Sequence, residues 1–142
     1  MTDHGRHIVV FTSFDRTVTL TTQALRDAGF TSLRGIDVRS VIRESGQELR
    51  QYSLITALHP SLMYRALQHD LDVGTDFLVR LAVYELADGE TVVSTEEPLA
   101  MEMASRAWRG EHPQLAALAA SLAEAVGDAL ATITRKGAGL AA

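Results

Sequence analysis

His59 is the residue best placed to do chemistry in this chain. It stands between an alternating run, Arg50–Leu58, and a stretch that opens with Pro60. Proline is welcome at a first helical position, because its missing N–H would have no partner there anyway. A histidine at a helix start lies beside outward-facing backbone N–H groups, which attract anions and carboxylates. Its imidazole titrates near neutrality and can serve as general acid or base. The plainer reading is that His59 caps the helix and hydrogen-bonds the backbone. Glu96 and Glu97 come after another extended run and precede Pro98. If Glu97 converged with His59, the two would form a catalytic acid–base pair, with Glu96 beside them in contact with ligand. The plainer role for adjacent acids is to complement the positive end of a helix dipole.

Arg80 is the second candidate. In the run Asp76–Leu86 the alternation puts Asp76, Leu78, Arg80, Ala82 and Tyr84 on one side, and Phe77, Val79, Leu81 and Val83 on the other. A guanidinium in mid-strand must reach water, a carboxylate or a ligand, since an unpaired buried charge is too costly. Tyr52, Tyr64, Tyr84 and Trp108 could offer ring faces and hydroxyls to a ligand, although aromatic side chains more often fill cores. Metal binding finds little support, because the histidines are scattered and no HExxH spacing occurs. Neither a phosphate loop, a dinucleotide GxGxxG nor a GxSxG elbow is present. The expectation is therefore a site without a cofactor.

The elements that must position these residues can be read from the pattern. His7–Ser13 is β-branched and aromatic, which predicts a strand. Ser13 or Asp15 then caps a helix, with Phe14, Val18, Leu25 and Ala28 near one face and Gly29 as its stop. Thr31–Arg43 reads as a bent strand interrupted by Gly35, paired as a hairpin with Arg50–Leu58. Pro60 to about Asp70 is a short helix; Asp76–Leu86 and Thr91–Thr95 form a hairpin across AlaAspGlyGlu. Glu96 to about Trp108 is a further helix. Gln114–Ile133 is the last, with Leu115, Leu118, Leu122, Ala125, Val126, Ala129 and Ile133 in one stripe, and 137–142 is a frayed tail. The order β-α-β-β-α-β-β-α-α predicts an α+β fold: a mostly antiparallel five-stranded sheet with helices packed on one face.

A length of 142 residues suits one domain, and 46% apolar against 22% charged residues gives it a normal core. The absence of cysteine excludes disulfides, thiolate metal sites and a cysteine nucleophile, and fits a reducing compartment. The apolar run from Ile8 is too short for a signal-peptide core, and no segment is expected to span a membrane, so a cytoplasmic location is expected. A net charge of −5 with scattered arginines argues against nucleic acid as a partner.

Several stretches in order resemble the bacterial domain of unknown function 302 family. They are SerPheAspArgThrVal at 13–18, ArgAspAlaGlyPhe at 26–30, IleAspVal at 36–38, AlaLeuHisPro at 57–60 with ArgAlaLeu at 65–67, ValGly at 73–74 and ValSerThrGluGluPro at 93–98. The resemblance covers about residues 8–105 and leaves the final helix outside, as a candidate dimerisation element. It implies a TATA-box-binding-protein-like α+β fold and a homodimer, and no activity. Relatives often carry cysteine where this chain has Leu58, and again near Val79. A thiol role in relatives therefore does not transfer.

The leading functional expectation is a homodimeric, cofactor-free module that binds a small organic ligand between sheet and helices. His59, Arg80, Tyr52, Tyr64, Tyr84 and one of Glu96 or Glu97 would line that site. The first alternative is a cofactor-independent isomerase, cyclase or lyase, with His59 as acid–base and Arg80 stabilising an anion. A second is a scaffold dimer built on the Leu/Ala stripe of the last helix.

Overall fold

The computed structural model describes residues 6–95 and 112–141. Its elements are β1 (Arg6–Val10), α1 (Phe14–Asp27), β2 (Thr31–Asp37), α2 (Val38–Glu44), β3 (Tyr52–Leu58), α3 (Pro60–His69), a 3-10 helix (Leu71–Phe77), β4 (Leu78–Ala87), β5 (Glu90–Thr95) and α4 (Pro113–Ala141). The strands form one sheet in the order β1-β5-β4-β3-β2, and every neighbouring pair is antiparallel. The fold is α+β, as the pattern predicts. The expected helix from Glu96 to Trp108 lies outside the described residues, as do Glu96, Glu97 and Trp108 themselves.

Alternation decides the core. Val79, Leu81 and Val83 of β4, Ile55 and Ala57 of β3 and Val93 of β5 turn to one face, all of them at most 3% exposed. Against that face lie α1 and α4. The α4 stripe of Leu115, Leu118, Leu122, Val126, Ala129, Leu130 and Ile133 is buried in the chain's own core, with α4 packed on α1, α3 and β1. The stripe named in the scaffold reading thus faces the chain's own core. By length and composition α4 could cross a bilayer, contrary to the expectation that nothing approaches a span. Here its apolar side is buried in the core, and Glu124 and Asp128 stand on its exposed side.

Three expectations are corrected. Thr31–Arg43 is a strand only to Asp37; Val38, Val41 and Ile42 suggest β structure by type, but their spacing is i, i+3, i+4, and Asp37 caps a helix there. The Asp37 carboxylate accepts from the Ser40 N–H at 3.2 Å and from the Ser40 hydroxyl at 2.8 Å, which holds its pKa below the ordinary carboxylate value. Consequently β2 and β3 pair across an inserted helix rather than a tight turn. The strand expected from Asp76 begins at Leu78, because Leu71–Phe77 winds into a 3-10 helix capped by Asp70. On α1 the expected face holds, since Leu25 is in the core and Phe14, Val18 and Ala28 pack against it, with Thr17, Thr21 and Ala24 buried beside them. Finally, the expected tail from residue 137 continues α4, and Gly137 packs so close to Val10 that a Cβ there would meet Val10 Cγ1 at 2.9 Å.

Candidate functional site

His59 sits where β3 hands over to α3, and it caps the helix. The Leu62 N–H donates to its Nδ1 at 3.4 Å, and the Met63 N–H donates to its carbonyl at 2.9 Å. Because Nδ1 accepts, the ring is assigned as the neutral tautomer with its proton on Nε2. The Phe30 ring meets the imidazole edge-on, centroids 5.3 Å apart at 87°. Gly29, at φ +99, faces Nε2: a Cβ built there would lie 2.7 Å away. Burial pushes the His59 pKa below the ordinary histidine value, with a backbone hydrogen bond pulling the other way. The nitrogen that could accept a proton is already engaged, and the other is walled by Gly29. The capping role accounts for this residue.

Arg80 belongs elsewhere. It is exposed on β4 between buried Val79 and buried Leu81, and so points to the face opposite the helices. The Thr95 hydroxyl donates to its carbonyl at 2.8 Å. His59 packs instead against Gly29 and Phe30 at the end of α1, in the helical layer. The sheet thus separates the two residues expected to line one site. Tyr64 is exposed on α3, in the helical layer as well. The space between sheet and helices, where a ligand is expected from the sequence, holds Phe77, Leu25, Leu81, Leu122 and Leu130, all fully buried. A shallow cleft of about 460 Å³ runs along the outer side of α1, bordered by Asp15, Arg16, Thr19, Leu20 and Gln23, apart from both His59 and Arg80.

The residues that the structure does bring together lie on the Arg80 face. Tyr52 and Tyr84 are directly opposite in the β3–β4 register and stack with ring centroids 5.4 Å apart and planes within 7°. His7 of β1 meets Tyr84 edge-on at 6.4 Å. Arg34, Thr56 and Arg80 are opposite one another across β2, β3 and β4. Between these two groups lie Ile36, Leu54, Ala82, Ser94 and His7, again in register. Val92, fully buried beside Tyr84, stands outside the main core cluster. Arg34, Thr56 and His7 have no signature of their own in the sequence. A strand correctly ended at Asp37 would have put Arg34 and Ile36 on one face, but which residues of β3 oppose them is fixed only by pairing. Among the described residues no group of histidines and carboxylates could hold a metal ion.

An antiparallel five-stranded sheet, with helices on one side and a graded polar–apolar surface on the other, is the class of protein that this fold defines. The chain matches the family described as "Domain of unknown function DUF302" over residues 7–133, and it belongs to that family. The match takes in most of α4, so the last helix is part of the family's domain and not an addition to it, contrary to expectation. No curated protein matches the chain. Among solved structures, the crystal structure of an uncharacterized conserved DUF302 protein from Bacillus stearothermophilus is similar with a TM-score of 0.73 and 22% identity, covering 89% of this chain and 95% of that one. That likeness is one of fold.

Proposed function

We propose that this chain is a small-molecule-binding module whose ligand, an organic anion, lies on the sheet face that carries Arg80, Tyr52 and Tyr84. The observation that carries the reading is the parallel Tyr52–Tyr84 stack on the same two strands, and the same face, as Arg80. Ring faces supply apolar area at low conformational cost, and a guanidinium fork matches a carboxylate. No chemical step is assigned, because the geometry of His59 is that of a cap.

Calorimetric titration of the full chain with a panel of aromatic and aliphatic carboxylates tests this reading. At least one acid should bind, and both Arg80→Gln and Tyr84→Ala should weaken it about tenfold, a loss of ~1.4 kcal/mol each. Equal affinity in wild type and both variants would remove the site from this face. The module is further proposed to work as a homodimer. Support comes from Tyr64 and Leu71, exposed at 66% and 81% on consecutive elements of the helical layer. Sedimentation velocity should give a dimer that Leu71→Glu dissociates; a monomeric wild-type chain would overturn the proposal.

A further inference from the structure

We infer that two copies of this chain join around a twofold axis through the outer side of α3 and the 3-10 helix after it, with Arg65 of each copy set against Asp72 of the other. The inference rests on the homodimer reading above and adds how the two copies are seated and which charges select a second copy.

Periodicity makes the outer side of α3. Leu62 and Ala66 face the core with Met63 packed beside them, so the helical repeat turns Ser61, Tyr64, Arg65 and Gln68 outward, and all four are exposed. Asp70 ends the helix. Its extended backbone (φ −160, ψ 119) breaks the helical path, and its carboxylate accepts from the Asp72 N–H at 2.9 Å to start the 3-10 helix. That short helix buries Val73 and Phe77 and leaves Leu71, Asp72, Thr75 and Asp76 exposed. It packs on α3, and a Cβ on Gly74 would lie 3.7 Å from Leu67 Cδ2.

Among the described residues, Leu71 and Tyr64 are the most exposed of the large apolar side chains, at 81% and 66%. Each has a charge as its chain neighbour, Asp72 after Leu71 and Arg65 after Tyr64. The chain itself leaves both charges unused. Among the described residues Arg65, Asp72 and Asp76 enter no ion pair, although their two elements are in contact. The patch therefore has an apolar and cationic half on α3, and an apolar and anionic half on the 3-10 helix. Such a patch is complementary to itself. In a twofold contact residue i meets j and j meets i, so seating Tyr64 on the partner's Leu71 also seats the partner's Tyr64 on Leu71. Arg65 and the partner's Asp72 each stand one residue from that apolar pair. An arginine side chain is long, and its guanidinium fork matches a carboxylate, so the ion pair closes, twice over.

Charge selects the occupant. The chain carries −5 overall, so two copies repel one another across most of their surface. Here two pairs of opposite sign offset that repulsion. A cationic partner would set Arg65 against its own sign, and an anionic one would do the same to Asp72 and Asp76. A second copy satisfies both halves.

The test is sedimentation velocity over a concentration series of the full chain, with Arg65→Glu, with Asp72→Lys, and with an equimolar mixture of those two variants. Either variant alone sets like charges across the axis twice and should weaken association at least ~10-fold. In the mixture, the reversed charge at 65 of one variant meets the reversed charge at 72 of the other, and the two unchanged residues meet as well. Both pairs return, and a heterodimer should form with about wild-type affinity. The charge-deleting variants Arg65→Gln and Asp72→Asn should weaken association less, and mixing them should recover nothing. Both side chains are exposed, and Asp72 serves the Asp70 cap through its backbone N–H alone, so unchanged far-ultraviolet circular dichroism shows that each variant folds. If Leu71→Glu dissociates the dimer but the reversals do not, or if the mixture stays monomeric, the inference fails while the homodimer reading stands. If the wild-type chain is monomeric at every concentration, both fail.

Discussion

The two faces of this sheet are made by the same strands and do different work. On β4, Val79, Leu81 and Val83 are shut into the core, while Leu78, Arg80, Ala82 and Tyr84 between them stay half-buried or exposed. On β3, Ile55 and Ala57 are buried, and Tyr52, Leu54 and Thr56 are not. One side therefore carries the main core, and the other is mostly half-buried or exposed, with Val92 as its fully buried member. His59 sits on the stabilising side, which is why a residue type suited to catalysis is found capping a helix.

The sharpest way to break that contrast is a matched pair of truncations. Leu81→Ala on the core face should cost about 3 kcal/mol in urea unfolding, by lost transfer energy and a residual cavity. Leu54→Ala on the opposite face should cost less than about 1 kcal/mol, since its side chain is already partly in water. Equal losses would mean that both faces act as cores.

Gly29→Ala comes next, at about 2 kcal/mol. Its φ of +99 is uncomfortable for any side chain, and the new Cβ would strike His59 Nε2. A neutral result in thermal melting would show that His59 has room to turn aside. Thr21→Val should act in the opposite direction and stabilise by about 1 kcal/mol. The Thr21 hydroxyl is buried without a hydrogen-bond partner, whereas Thr17, one turn earlier, donates to the Ser13 carbonyl at 2.8 Å. The smallest effect concerns pH. His59 has a lowered pKa in the folded state, so the unfolded chain binds the proton more readily. Its contribution to stability is then complete above the ordinary histidine pKa of about 6.5 and declines as the pH falls below that. A His59→Asn variant, which keeps a capping side chain, should lose that part of the pH dependence in denaturation curves recorded between mildly acidic and neutral pH.

Much of the fold is legible in the sequence because local chemistry and the global arrangement agree. Ser13 caps α1 as expected, with its side chain accepting from the Arg16 N–H, and Pro60 opens α3. The Asp88-Gly89 turn joins β4 to β5 with Gly89 at φ +75. The pattern misleads where residue type and spacing give opposite signals. Val38, Val41 and Ile42 are β-branched but helically spaced, and Asp37 settles the matter with its cap. Thr17 and Thr21 look like surface residues, yet both are fully buried on α1, which packs on α4. The site is harder to see. Alternation identifies Arg80, Tyr52 and Tyr84, but their separation from His59 depends on which face each strand shows, and Arg34 enters only through the pairing of β2 with β3. Glu96 and Glu97 lie outside the described residues.

The near-contact between Gly137 and Val10 ties the first strand to the last turns of the final helix, across nearly the whole chain. Neither segment keeps its packing if the other lifts away, so they form one unit of local opening. In amide hydrogen exchange their protection should rise and fall together. A larger side chain at either position would loosen both at once while leaving the β3–β4 centre of the sheet as slow to exchange as before.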